Sequence, residues 1–91
     1  MKVYDKASWH IDNGEDKVDV LSRFSFLFDF LEKKNMLTSE GKELLELGID
    51  SSISLHERLV TDEGKKFLEA NIDELLKMSI SDVKARLQEK S

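Results

Sequence analysis

The side chains able to do chemistry gather in one short stretch, YDKASWHIDNGE, Tyr4 to Glu15, which holds the only Tyr, the only Trp and one of two His. Asp5, His10, Asp12, Glu15 and Asp16 are the nearest approach to a metal-ligand set. Zinc asks for several imidazole or thiolate ligands, and this stretch has one imidazole and no thiolate. Calcium loops need alternating oxygen ligands closed by a bidentate glutamate, of which DNGED is a fragment. No metal and no cofactor is therefore expected. Ser8 with His10, and Ser54 with His56, supply a hydroxyl and a base two residues apart. If residues 4–12 are extended, Ser8 and His10 point the same way. Neither pair has the orienting carboxylate in a recognisable motif, so no catalytic residue and no enzymatic activity is expected.

Charge adds a second candidate region. The 91 residues carry 14 basic and 19 acidic groups, net −5. Between Glu40 and Glu63 the chain has Glu40, Glu43, Glu46, Asp50, Glu57, Asp62 and Glu63 against only Lys42 and Arg58. That one segment accounts for the whole net charge. Such a field repels phosphates and attracts basic surfaces. The start LTSEGK resembles the helix opening found in winged-helix regulators. No helix carries a Lys/Arg face, however, so nucleic acid is not an expected partner.

These groups have to be positioned by helices. From Val18, at 100° per residue, Val20, Leu21, Phe24, Leu27, Phe28 and Leu31 fall within roughly 180–300°, which predicts one long amphipathic helix over 15–34. Ser22, Ser25, Asp29 and Lys33 belong on its wet side. Phe26 and Phe30 stand outside the core arc, and either another segment of the chain or a second molecule must cover them. Asp12 and Glu15 have capping-box spacing for the start of this helix. Further on, LTSEGKELLE (Leu37–Glu46) and VTDEGKKFLE (Val60–Glu69) match at six of ten positions. Each reads as a helix start, with Thr38 or Thr61 as N-cap and Leu37 or Val60 placed as a staple. Gly48 should end the first of these helices. Ser54 and Glu57 have capping-box spacing for a short helix, and Ser81 can cap the last one. Phe67, Leu68, Ile72, Leu75, Leu76, Val83 and Leu87 supply inward positions.

The expected fold is thus all-α, a single domain of four to five helices. Residues 1–14 form an extended arm and cap, 15–34 the long helix, and 38–47, 54–60, 62–78 and 81–89 the others. Trp9 and Ile11 of the arm should dock on Phe26 and Phe30, with His10 facing outward, so that Trp9→Ala costs roughly 3–5 kcal/mol. The pattern Tyr-Asp-Lys-Ala-Ser-Trp-His, Tyr4 to His10, with Gly48-Ile49-Asp50, resembles a set of short, uncharacterised bacterial proteins. The resemblance implies that the arm matters as a unit and brings no activity with it.

With no cysteine, no apolar run near the roughly 20 residues that span a bilayer, and no apolar core in MKVYDKAS, a cytoplasmic protein without membrane contact is expected. Its expected role is interaction, most concretely as an immunity or antitoxin-like inhibitor of a basic protein. Glu40, Glu43, Glu46, Asp50, Glu57, Phe26, Phe30, Trp9 and His10 are the candidate partner-binding residues. The alternatives are a small enzyme or metal-dependent accessory using His10 and nearby carboxylates, or a homodimer joined through Phe26 and Phe30.

Overall fold

The computed structural model describes residues 1–75 and 77–89. They form five α-helices, two short strands and one 3-10 turn. Strand β1 (Val3–Lys6) runs directly into α1 (Ala7–Asp12), and α2 (Lys17–Lys33) and α3 (Ser39–Leu47) follow. Strand β2 (Ser54–His56) passes into the 3-10 turn Glu57–Leu59, then α4 (Asp62–Leu75) and α5 (Ile80–Glu89). The domain is mostly helical but not all-α, because β1 and β2 pair antiparallel.

The sheet corrects two expectations. Residues 3–6 are a strand with a partner, and 54–56 are strand where a helix was expected. The register runs Val3↔His56, Asp5↔Leu55 and Lys6↔Ser54, with a shift between Val3 and Asp5. That irregularity leaves Tyr4 as the extra residue. Neighbours on a regular strand point to opposite faces, yet Tyr4 and Asp5 are both buried, as a bulge permits. The Ala7 N–H donates to the Ile53 carbonyl at 3.2 Å and carries the pairing into the start of α1. The Ser54–Glu57 spacing is not a cap. His56 caps the 3-10 turn instead, its Nδ1 accepting from the Arg58 N–H.

Helix α2 is the centre of the core. Val20, Phe24, Leu27, Phe28 and Leu31 are buried, Leu21 packs against them partly buried, and Ser22, Asp29 and Lys33 are exposed, as the periodicity predicts. Its cap is Asp16, which accepts from the Asp19 N–H at 3.0 Å, and not Asp12, which ends α1. Phe30 is buried against Phe67 of α4, ring centroids 5.1 Å apart. Phe26 is half-buried with Lys84 of α5 5.8 Å from its ring. The two phenylalanines are therefore contacted by the C-terminal helices, not by Trp9.

The two matched helix starts meet each other. Leu37 and Val60 form an antiparallel bridge, the Thr38 N–H donates to the Leu59 carbonyl (3.0 Å), and the Thr61 N–H donates to the Met36 carbonyl (2.8 Å). Moving the donor forward by 23 residues and the acceptor back by 23 turns the first bond into the second. Both threonines cap as expected, Thr38 Oγ1 accepting from Gly41 N–H and Thr61 Oγ1 from Gly64 N–H. Helix α3 stops at Gly48, where φ is 101°, a region closed to most side chains. The last helix begins one residue earlier than expected. Ser79, not Ser81, accepts from the Asp82 N–H, and Val83 and Leu87 are buried. Leu76 lies outside the described residues.

Candidate functional site

Asp5, His10 and Glu15 are five residues apart in sequence and adjacent in space. Asp5 lies in β1 two residues before α1 begins, and the turn after α1 brings Glu15 to the same helix from its other end. His10 lies between them. Its Nε2 is 2.9 Å from both Asp5 carboxylate oxygens, and its Nδ1 is 2.6 Å from Glu15 Oε2. The chain of charges continues into α2. Arg23 Nη2 donates to Glu15 Oε1 at 2.6 Å, Nη1 donates to the Met78 carbonyl at 3.1 Å, and Nε is 3.4 Å from Asp19. One polar chain thus ties β1, α1, α2 and the connection between α4 and α5.

Burial differs along this chain. The Asp5 and Arg23 side chains are 7% and 9% exposed, that of Glu15 39%. Burial pushes the Asp5 carboxyl above its ordinary range even though His10 and the Lys6 N–H hold its ionised form. For Glu15, burial acts upward too, but the hydrogen bonds from His10 and Arg23 outweigh it and its carboxyl falls below the ordinary range. The Phe24 ring stands edge-on to the imidazole at 6.3 Å. Phe24, Leu27, Ile72, Leu75 and Val83 wall a cleft beside Asp5, His10 and Arg23 with room for a single water molecule.

This geometry bears on the chemistry. Both imidazole nitrogens face carboxylates, so neither is open to take a proton from a substrate. The two carboxylates sit at opposite edges of the ring, so no point is within ligand distance of all three groups. Among the described residues no cluster of three or more His, Cys, Asp or Glu can hold a metal ion. Ser8 and His10 do not meet as a pair. On helical α1 they diverge by roughly 200°, and Ser8 is exposed.

Two expectations for this stretch are corrected together. His10 does not face outward, its side chain being 12% exposed. Trp9 does not dock, and at 50% exposure it presents one face to solvent with Lys6 Nζ 5.9 Å from its ring. Both corrections follow from α1 being helix and not strand, since successive residues then diverge by about 100°. Ile11 does pack against the core.

The acidic candidates lie elsewhere, on α3 and the chain after it. Glu40, Glu43 and Glu46 are exposed, and none is in an ion pair among the described residues. On the helical wheel they share an arc of roughly 120° with Leu47, opposite the inward Gly41, Leu44 and Leu45. Leu47 is 79% exposed, a large apolar group among carboxylates. Asp50 is engaged in its own turn, accepting from the Ser52 N–H (2.9 Å) and hydroxyl (2.5 Å), which hold its carboxyl below the usual range. Glu57 is half-buried at the start of the 3-10 turn.

Arg23 and Leu47 were not singled out in the sequence. Arg23 had a signal: it falls at roughly 140° on the α2 wheel, between Phe30 and the core arc, where a charge needs buried partners. Comparison with protein-family models, curated proteins and solved structures gives no match for the chain. No helix among the described residues is long and apolar enough to cross a membrane.

Proposed function

We propose that the protein is a small interaction protein that binds a basic protein partner, as an immunity or antitoxin-like inhibitor does, with the exposed face of α3 as its contact surface. The observation that carries this reading is the set Glu40, Glu43, Glu46 and Leu47. Three carboxylates without an ion-pair partner among the described residues surround an apolar group in water. A docking cation has no internal salt bridge to break there, and Leu47 offers the dry centre around which charged rims add affinity. The His10 network serves this role as support for the fold, since its ring nitrogens are already engaged.

The test is co-purification from the native cell, with two charge-reversed baits of equal net charge. A basic protein should be retained at about 0.1 M salt and released near 1 M, as the Debye length falls from about 10 Å to about 3 Å. Glu43→Lys/Glu46→Lys and Leu47→Glu should lose it, while Asp29→Lys/Glu32→Lys on α2 should keep it. Equal loss from both charge-reversed baits would reduce the effect to net charge. Retention by all variants, or no basic protein on the wild-type bait, would overturn the reading.

A further inference from the structure

The polar chain around His10 holds an element that has little else to hold it. Helix α1 is six residues long, its N-cap Lys6 gives no side-chain hydrogen bond, and of its residues only Ala7 is fully buried. A helix of that length is not stable on its own. Ala7 and Ile11 pack on the core, the Ala7 N–H bonds the Ile53 carbonyl, and His10 joins Asp5 of β1 to Glu15, which Arg23 of α2 holds in turn, while the Phe24 ring of α2 stands edge-on to the imidazole. The contacts of His10 with the two carboxylates depend on one proton. The doubly protonated ring donates from both nitrogens, to Glu15 at 2.6 Å and to Asp5 at 2.9 Å. The neutral ring donates from one nitrogen only and turns a lone pair toward the other carboxylate.

We propose that Asp5, His10, Glu15 and Arg23 form a proton-controlled clasp, closed when His10 is doubly protonated and opened by loss of one ring proton, which frees α1 from α2. The charged groups facing the ring are Asp5 from β1 and Glu15 from the turn before α2. Arg23 and Asp19 of α2 adjoin Glu15. Among the described residues, helices α4 and α5 contribute the apolar Ile72, Leu75 and Val83 to the cleft. Counting Asp5, Glu15 and Asp19 against His10 and Arg23, the cluster holds one net negative charge when closed and two once the ring is neutral. Deprotonation therefore removes a hydrogen bond and adds repulsion at the same place. Opening leaves the β1–β2 pairing and the α2 core in place and changes the setting of Trp9, one residue from the ring. Asp5 suits a clasp better than a permanent tie, since its burial works against its own charge.

The reporter is built in, because Trp9 is the only tryptophan. Its emission is to be followed in the intact protein from about pH 5 to 9, with amide exchange of Ala7–Asp12 read alongside. A reversible sigmoidal change across this pH window is expected. Exchange in α1, corrected for its intrinsic pH dependence, should accelerate more than about tenfold while α2 stays protected. His10→Gln should remove the transition, and His56→Gln should leave it unchanged. Glu15→Gln keeps the ring but withdraws one carboxylate, so the transition should move to lower pH. Flat emission and steady exchange in the wild type, the same transition in His10→Gln, or an unmoved transition in Glu15→Gln would each overturn the clasp. The α3 reading stands or falls separately, on the co-purification.

Discussion

Replacing Gly41 by alanine should destabilise the protein, although the same change in an ordinary helix stabilises it. Gly41 is the third residue of α3, and alanine there gains up to about 1 kcal/mol of helix propensity. A Cβ on Gly41 would stand 2.3 Å from the Leu59 carbonyl oxygen, against ordinary contact at 3.4–4 Å. Something must move by roughly 1 Å, and the carbonyl is poorly able to. It accepts the Thr38 N–H at 3.0 Å, and the Leu59 side chain is buried. Overpacking of this kind costs about 1–3 kcal/mol, and straining the Thr38 bond adds about 1 kcal/mol. The net loss is about 2 kcal/mol, or a fall in Tm of roughly 8–16 °C for a chain of this size. Gly64 is the counterpart in α4, but its added Cβ would meet the Met36 carbonyl at 2.8 Å and Val60 Cβ at 2.9 Å. Gly64→Ala should therefore lose less, about 1 kcal/mol. Urea unfolding followed by circular dichroism gives both values. A Gly41→Ala protein as stable as the wild type, or more so, would refute the close approach of the two helix starts.

Four further outcomes follow from the same structure. Glu15, with its carboxyl held below the ordinary range, contributes stability above its unfolded-state pKa and loses it as pH falls through the folded value. Glu15→Gln should thus be less stable than the wild type at neutral pH, with the gap, reduced by solvent screening at this half-exposed group, closing in acid. Asp5 has the opposite sign: its raised value means that ionisation costs stability as pH rises. Asp5→Asn should match or exceed the wild type at neutral pH and lose that advantage in acid, and a marked loss at neutral pH would contradict the assignment. Trp9→Ala should cost about 1 kcal/mol or less, the value for a half-exposed group, while Phe30→Ala, which empties a site against Phe67, should cost about 3–5 kcal/mol. Glu46→Lys should raise stability by about 0.3–1 kcal/mol in thermal melts.

What could be read from the sequence was what is decided locally. The α2 core arc, the Thr38 and Thr61 caps and the stop at Gly48 each rest on residues within one or two turns of one another. What could not be read was decided at a distance. Strands of four and three residues carry too little alternation to be told from a helix edge, and β1 and β2 come together from opposite halves of the chain. Helix α1 lies within residues 1–14, for which an extended arm is expected. Its conformation is instead tied to Asp5 and Glu15, which engage His10 from both ends. The cluster was legible as a collection of residue types, but its closed arrangement was not, because Arg23 enters from α2. The acidic segment was legible as composition, and the fold divides it into residues with local duties and residues without.

That division makes α3 informative. Glu40, Asp62 and Glu63 lie in first turns, where a negative charge complements the positive end of the helix dipole. Asp50 closes a turn, and Asp62 also pairs with Lys65 at 3.6 Å. Each has a structural reason to be acidic. The matched glycines have one too: Gly41 and Gly64 are alike because each lies against the backbone that precedes the other helix, so the repeated sequence reflects one mutual contact used twice. Glu43 and Glu46 answer to neither account. Glu46 sits in the last turn of a nine-residue helix that has no basic residue there, and its charge opposes the dipole. Beside it, Leu47 leaves an apolar side chain in water. A helix that keeps an unfavourable carboxylate next to an exposed leucine gains nothing in stability from either, which is why gain of stability and loss of partner should separate in Glu46→Lys. If the variant becomes more stable and still retains the basic protein, Glu46 is only a surface charge. If it becomes more stable and loses the protein, the charge is there for binding.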